Sequence, residues 1–392
     1  MAPESGCQAE NVRALLTGGG TGGHVYPALS IMDALTAEER ARTTVAWVGR
    51  SGGVEEHIAH REGIPFHALA MGPIVGANPL TLVKSLFQQA RGVLQGRRLI
   101  RSWGPNVVLA TGGYVSVPLV LAARLEGVPS LLYLPDMQPG LAVKRLAPYV
   151  SVLAVTLERV ADCFSRKVLV SGYPVRGEIL AMERQEARQE LSLTQDRPLL
   201  LVMGGSLGAH SINEAVWASL SQWLSLADVL HITGPRDLEK ARQTGEGLDP
   251  DVRDAYRPVA YLNKEMPAAL VAADLVVARA GASTLGEFPA AGLPAILVPY
   301  PHAGEHQLGN ARFLADAGAG IVLRDGDLLA RLGDTVCDLL DDGERLEAMS
   351  QASSHLARPD AARHLADVLL ELANGEEQRK AAGLPRGAQA KW

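Results

Sequence analysis

"LLTGGGTGGHVYPALS" (Leu15–Ser30) carries an apolar, strand-like run into five glycines, a histidine and a helix-like segment. Glycine at such a junction lets the backbone approach a neighbour or a ligand with no side chain in the way. A helix that begins there offers unpaired N–H groups and about half a positive charge, which together attract phosphate. Gly18-x-Gly20-x-x-Gly23 also fits the dinucleotide-binding spacing, a weak signal when it stands alone. A dinucleotide site would place an acid at the end of the next strand, but "VAWVGR" (Val45–Arg50) ends in arginine, leaving an NADP phosphate as a lesser option. His24 stands where the loop becomes the helix. A neutral imidazole there can take a proton from an attacking hydroxyl; the alternative is a capping or packing ring.

Working outward, the same device recurs at "LLVMGGSLGAH" (Leu200–His210). Before it, Ala14–Thr17, Thr44–Val48, Val107–Ala110, Ser130–Leu134 and Ser151–Thr156 read as buried strands. After it come Pro198–Met203, Asp228–Thr233, Pro258–Tyr261, Leu275–Ala278 and Ala295–Pro299. Helix-length segments such as Pro27–Thr36 and Leu80–Ser102 separate them, a pattern that predicts parallel sheets covered on both faces. The expected fold is α/β, two doubly wound domains facing a cleft, with ligands at the carboxyl ends of the strands. The first domain is placed at 11–175 and the second at 176–358. The amphipathic segment Ala361–Ala373 predicts a last helix that packs back on the first domain, and the polar tail 374–392 reads as disordered.

The 392 residues suffice for two domains, and 47% hydrophobic with 20% charged residues is the balance of a folded enzyme. A formal charge of -6 argues against a nucleic-acid partner, which needs a basic face. Aromatic residues, at 5%, are too few for a base-stacking platform. Cys7, Cys163 and Cys337 are odd in number and scattered, so neither a disulfide framework nor a zinc knuckle is expected. The first ten residues show no signal-peptide pattern. Ser102–Ala123 is uncharged and long enough to span a bilayer, but Gly112-Gly113 and Pro118 divide it into strand, turn and helix start.

A third glycine-rich stretch runs from Ala273 to Ala311, "ADLVVARAGASTLGEFPAAGLPAILVPYPHAGEHQLGNA". Ala282, Ser283 and Thr284 open a helix suited to phosphate, and Glu287 follows where a carboxylate would meet ribose hydroxyls. His302, Glu305, His306, Gln307 and Asn310 make a polar cluster after a buried strand, read either as sugar recognition or as a solvated loop. Asp249-Pro-Asp251 and Asp325-Gly-Asp327 match the acid pair that holds a metal in many nucleotide-sugar enzymes, yet their setting predicts solvated turn acids.

Taken together, "GGTGGHVYPAL" (Gly19–Leu29), "GGYVSVP" (Gly112–Pro118), "GYPVR" (Gly172–Arg176), "GGSLGA" (Gly204–Ala209), "ADLVVARAGASTLGE" (Ala273–Glu287), "AAGLPAILVPYP" (Ala290–Pro301) and "HQLGNA" (His306–Ala311) resemble one family in order and spacing. It is the family of peripheral membrane glycosyltransferases that add N-acetylglucosamine to undecaprenyl-diphosphate-linked N-acetylmuramyl-pentapeptide, the lipid I to lipid II step of peptidoglycan synthesis. The resemblance implies a glycosyltransferase B-type fold with two Rossmann-like domains, UDP-N-acetylglucosamine held by the second and the acceptor mainly by the first. By position it gives Arg176 and Ser206 to the donor diphosphate, with Ala282, Ser283, Thr284, Leu285 and Gly286 around the same anion. Glu287 goes to the ribose, Asn263 to the neighbourhood of the uracil, and Gln307 with Asn310 to the sugar hydroxyls. Thr21, Gly22, Gly23, Tyr114 and Asp136 fall on the acceptor side, with His24 as the base. No cofactor and no metal is implied, since helix-start amides and Arg176 can supply the needed charge. The family's His-Glu-Gln-Asn run after the fifth strand is replaced by Tyr133-Leu134-Pro135-Asp136, so a different lipid acceptor stays an alternative. So does a non-catalytic nucleotide-sugar-binding partner.

The resemblance also implies attachment at the cytoplasmic face of the cell membrane. Met71–Ser102 offers Ile74, Val75, Leu80, Leu82, Val83, Leu86 and Phe87 beside Lys84, Arg91, Arg97, Arg98 and Arg101. That is an apolar patch ringed by cations suited to an anionic bilayer, or an ordinary amphipathic helix with a solvated basic face.

Overall fold

The computed structural model of the chain describes residues 11–20, 22–72, 79–194, 197–205, 208–301 and 306–381, except the side chains of 79–84 and 376–381. Among them the chain forms two all-parallel sheets in two compact units. The first sheet holds β1 (Val12–Thr17), β2 (Thr43–Gly49), β3 (Phe66–Ala68), β4 (Val107–Ala110), β5 (Ser130–Leu134), β6 (Val152–Val155) and β7 (Leu169–Val170). Its order is β3-β2-β1-β4-β5-β6-β7. The second holds β8 (Leu199–Met203), β9 (Asp228–Ile232), β10 (Tyr256–Val259), β11 (Leu275–Ala278), β12 (Ala295–Leu297) and β13 (Gly320–Val322), ordered β10-β9-β8-β11-β12-β13. In each sheet the order reverses beside the strand that runs into the glycine turn, β1 or β8. Ligands of open α/β sheets sit at that reversal.

Continuous apolar runs become strands buried on both faces. Ala14 and Leu16 of β1 join one core, and Leu15 joins the opposite one with Val108 and Leu119. Period-two alternation assigns the two sides. The second sheet repeats this, with Leu199 and Leu201 on one face and Leu200 and Val202 on the other. The short edge strands β3, β7 and β13 were not expected from sequence, because runs of two or three residues carry little periodic signal.

One unit contains the chain up to Pro135, Pro139–Ser171 and the part from Ala362 onward; the other contains Asp136–Gln138 and Gly172–Ala361. The crossing at Gly172 comes four residues before the boundary expected from sequence. Gly172 has φ +89°, and a Cβ there would lie 2.5 Å from Arg358 Cβ. The last helix, Ala361–Ala381, buries Leu365, Leu369, Leu370 and Leu372 in the first unit's core. It continues past residue 373 into the expected disordered tail, where Glu, Gln, Arg, Lys and Ala all favour helix. Residues 382–392 lie outside the described residues.

Arg363 ties this helix down. Its Nη1 and Nη2 bond Glu39 Oε2 and Oε1 at 2.6 and 3.0 Å, and Nη1 also reaches the Ala34 carbonyl at 3.1 Å. Glu39 belongs to a capping box with Thr36. The Arg363 hydrogen bonds hold the Glu39 carboxyl down at about 2. A lowered carboxylate pKa stabilises the fold above the unfolded value of 4.5, and that contribution disappears as pH falls through about 2. The pair is partly exposed, which limits its worth to about 1 kcal/mol. Arg363→Ala is therefore expected to lower unfolding free energy by about that amount near neutral pH. The gap from wild type should close as urea titrations are repeated from pH 5 toward pH 2.

Candidate donor and acceptor sites

In the first unit, Gly18–Gly20 leave the end of β1 and the helix Gly22–Asp33 follows. That helix starts five residues before the expected Pro27. Pro27 itself lies within the helix. Thr21 lies outside the described residues. A Cβ on Gly18 would stand 1.9 Å from Thr111 Oγ1 and 2.8 Å from the His24 carbonyl oxygen. No larger residue fits. Thr111 donates its hydroxyl to that same carbonyl and its N–H to Thr17 O, joining the ends of β1 and β4 to the helix start.

His24 is half-buried, and its Nδ1 lies 3.2 Å from the Gly19 carbonyl oxygen. A carbonyl only accepts, so Nδ1 is the nitrogen that donates to Gly19, and Nε2 is the ring's other, potentially basic, nitrogen. Gly112 and Gly113, at φ +96° and +78°, lie beside the ring; a Cβ on Gly112 would be 3.6 Å from Nε2. Tyr114 opens the 3₁₀ turn Tyr114–Ser116 next in the chain. Gly22, Gly23, His24 and Tyr114 therefore belong to this unit. Asp136 counts with the second unit, where its carboxylate accepts from Asn310 Nδ2 at 3.3 Å.

Sequence reasoning missed Glu55. It sits in the first turn of the helix Val54–Arg61, is only 1% exposed, and accepts from Gly20 N–H at 3.2 Å and Arg50 N–H at 3.1 Å. A Cβ on Gly19, Gly49 or Gly53 would come within 2.4–2.6 Å of its side chain, so these glycines make room for a carboxylate. The signal was a glutamate directly after "SGGV" (Ser51–Val54), which reads by default as an exposed helix-start acid.

In the second unit, Arg176 precedes the helix Gly177–Ala181, and its Nε and Nη2 both donate to Glu287 Oε1 at 3.0 and 2.8 Å. The side chains are 15% and 9% exposed, so the pair is largely shielded from water. Glu287 follows the 3₁₀ turn Ala282–Leu285 and opens the short helix Glu287–Ala290. Gly286 permits this junction, since a Cβ there would meet Tyr173 at 2.5 Å. Thr284 donates its hydroxyl back to the Gly281 carbonyl at 2.7 Å and is 3% exposed, so it shapes the turn. Ala282 and Leu285 are buried as well.

Asn310 is fully buried: Nδ2 donates to Ala280 O at 3.0 Å and to Asp136, and Oδ1 accepts from Met137 N–H at 3.1 Å. Its amide thus binds protein, where the resemblance gave it to sugar hydroxyls. Gln307 Oε1 accepts from Tyr300 N–H at 2.8 Å. Asn263 is exposed, with its N–H directed to Glu265 Oε2. His302 and Glu305 lie outside the described residues.

The other glycine turn runs from Gly204 toward the helix His210–Trp223; Ser206 lies outside the described residues. A Cβ on Gly208 would approach Thr233 O to 2.2 Å. Beneath the turn, Asn213 Nδ2 donates to Thr233 O and to Asp237 Oδ2, and His210 Nδ1 bonds the same carboxylate. Burial raises the Asp237 pKa, but the bonds from His210 and Asn213 outweigh it and the net shift is downward. His231, wholly buried, bridges Asn213 Oδ1 and Tyr256 OH, and burial pushes its pKa down to about 3, so the ring is neutral.

The two acid pairs differ from each other. Asp249 caps the short helix Pro250–Arg253, as a turn acid does. Asp325 instead takes hydrogen bonds from Arg279 and Ser211, a correction to the expected solvated acid. Arg279 emerges just past the end of β11, is itself largely shielded, and finds its counter-charge in Asp325.

Models of the glycosyltransferase family 28 N-terminal and C-terminal domains match residues 14–154 and 199–365. A protein of Halothermothrix orenii named UDP-N-acetylglucosamine--N-acetylmuramyl-(pentapeptide) pyrophosphoryl-undecaprenol N-acetylglucosamine transferase is 37% identical over 93% of this chain and 100% of its own. A Roseiflexus protein of the same name is 39% identical, over 91% of this chain and 94% of its own. The crystal structure of Acinetobacter baumannii MurG superposes with a TM-score of 0.71 at 26% identity, covering 92% of this chain and 99% of that one. With both domains matched in order and such relatives aligned nearly end to end, the chain belongs to glycosyltransferase family 28, with the glycosyltransferase B-type fold.

Proposed function

We propose that this enzyme transfers N-acetylglucosamine from UDP-N-acetylglucosamine to undecaprenyl-diphosphate-linked N-acetylmuramyl-pentapeptide, inverting the sugar. What carries the reading is the 37% identity to a protein of that name over 93% of the chain. The acceptor hydroxyl attacks the anomeric carbon opposite the nucleotide; the new C–O bond forms as the bond to the diphosphate breaks. UDP leaves with the electron pair, and His24 Nε2 takes the hydroxyl proton. Arg176 and the amides of Ala282 and Ser283 at the start of the turn stabilise the departing diphosphate. Because both Arg176 bonds end on Oε1, Glu287 offers Oε2 to the ribose diol. These charges are proposed to do the work without a metal.

Radiolabelled UDP-N-acetylglucosamine should label the lipid fraction when purified lipid I is supplied, with chelator present. Label that stays soluble would refute the assignment, and loss of transfer with chelator would refute the metal-free route. Diacylglycerol as acceptor is the competing case, supported by Leu134, 2% exposed in β5 where the resembling family carries an acid. For His24→Ala, kcat should fall about 10²–10⁴-fold with donor KM little changed. In Glu287→Gln the donor KM should rise roughly tenfold or more, reflecting a weakened hydrogen bond to a charged group.

Attachment to the cytoplasmic face of the cell membrane is proposed through the helix Pro79–Trp103. Its Leu86, Phe87 and Leu94 are 53%, 71% and 58% exposed, beside exposed Arg91 and Arg98. Arg97 and Arg101 are tied to Glu126 at 2.6 and 2.7 Å, which reduces the positive patch expected from sequence. Ile74 and Val75 and the side chains of Leu80, Leu82, Val83 and Lys84 lie outside the described residues. Among the described residues no helix is long and apolar enough to cross a membrane. Phe87→Ser should weaken flotation with anionic vesicles about tenfold, given the area a phenyl ring buries.

A further inference from the structure

We infer that Glu55 is a positioning residue for His24, acting through the single peptide group that joins Gly19 to Gly20. The carbonyl of that peptide accepts the His24 Nδ1 proton, and its N–H donates to Glu55 Oε2, each at 3.2 Å. Carbonyl and N–H share one rigid plane, so fixing one end fixes the direction of the other. A hydrogen bond at the N–H also polarises the carbonyl and makes it a better acceptor. Carboxylate, peptide and imidazole form a relay in which the peptide stands where a direct carboxylate–histidine contact would otherwise be. Its effect is to hold the proton on Nδ1, so that Nε2 is the ring nitrogen with the basic lone pair. The same logic governs the third member of a Ser-His-Asp triad, which sets tautomer and ring orientation without itself changing protonation.

Three observations separate this from a plain packing role. Glu55 accepts an N–H on each carboxyl oxygen, so both ends of the carboxyl group are held in place. It is 1% exposed, in a space that Gly19, Gly49 and Gly53 together vacate. Its second bond, to Arg50 N–H just past the end of β2, anchors the carboxylate to the sheet, so the loop is oriented from a rigid element.

The inference rests on His24 as the base, and its test reads a quantity that exists without turnover. Long-range proton–nitrogen correlation on the full-length, histidine-labelled protein, with His24→Gln for assignment, reports which ring nitrogen carries the proton. Wild type should show Nδ1–H at a pH where the ring is neutral; an Nε2–H ring would overturn the relay. Glu55→Gln removes the charge and one acceptor at nearly constant volume. It should shift His24 toward Nε2–H and lower kcat roughly tenfold or more, with donor KM within about twofold. A folded Glu55→Gln with unchanged tautomer and kcat overturns the proposal. If that variant does not fold, Glu55→Asp decides, since the charge is kept but withdrawn by one methylene: a reduced Nδ1–H population is expected, and wild-type values would overturn the relay. Should His24→Ala retain full turnover, the base assignment falls by itself, whatever the tautomer shows.

Discussion

His24 Nδ1 reaches the Gly19 carbonyl because the chain between them turns through bare backbone, and the rest of the first unit's site follows from that bond. Gly18 is pinned between Thr111 and the His24 carbonyl, Gly19 lies over Glu55, and Gly20 turns at φ +87°. A side chain on Gly18 or Gly19 would push the loop off the end of β1, and the ring would lose its acceptor. The order reversal beside β1 makes room for this turn, because β2 and β4 depart on opposite sides. Sheet topology supplies the gap, glycine allows the close approach, and the histidine takes its direction from a carbonyl.

The second unit uses the same strand-to-turn geometry with a different charge arrangement. Arg176 and Glu287 come from elements 111 residues apart in sequence and meet through two hydrogen bonds on one carboxylate oxygen. Arginine is always charged and presents its N–H groups as a planar fork, so it fixes the carboxylate's orientation as well as its charge. The surrounding polar groups are turned toward protein: Thr284 to Gly281, Asn310 to Ala280 and Met137, Arg279 to Asp325 and Ser211. These bonds hold the turn in place.

Both sheets were legible in the sequence because strands buried on two faces must be continuous apolar runs, and Val107–Ala110 or Leu275–Ala278 have no other use for such composition. The glycine turns were legible because so many glycines after a strand cost chain entropy that only a tight turn or a close backbone approach offsets. What sequence left hidden was direction. Asn310 reads as a sugar ligand by its position in a polar cluster, yet packing buries it completely; Asp325 reads as a turn acid, yet it answers an arginine 46 residues away. Glu55 was hidden for the same reason. Whether a helix-start acid faces water or folds under a loop depends on contacts 35 residues apart, which no local pattern encodes. The helix running on to Ala381 shows the converse error, where a polar composition suggested disorder although each residue tolerates helix.

The charged groups behind the two turns differ. In the first unit a carboxylate lies behind the loop and takes the Gly20 N–H, so that amide does not face an incoming anion. In the second unit an arginine, Arg176, stands against the carboxylate of Glu287. On the proposal that His24 is the base, the carboxylate behind the first loop serves to orient that base through the Gly19–Gly20 peptide.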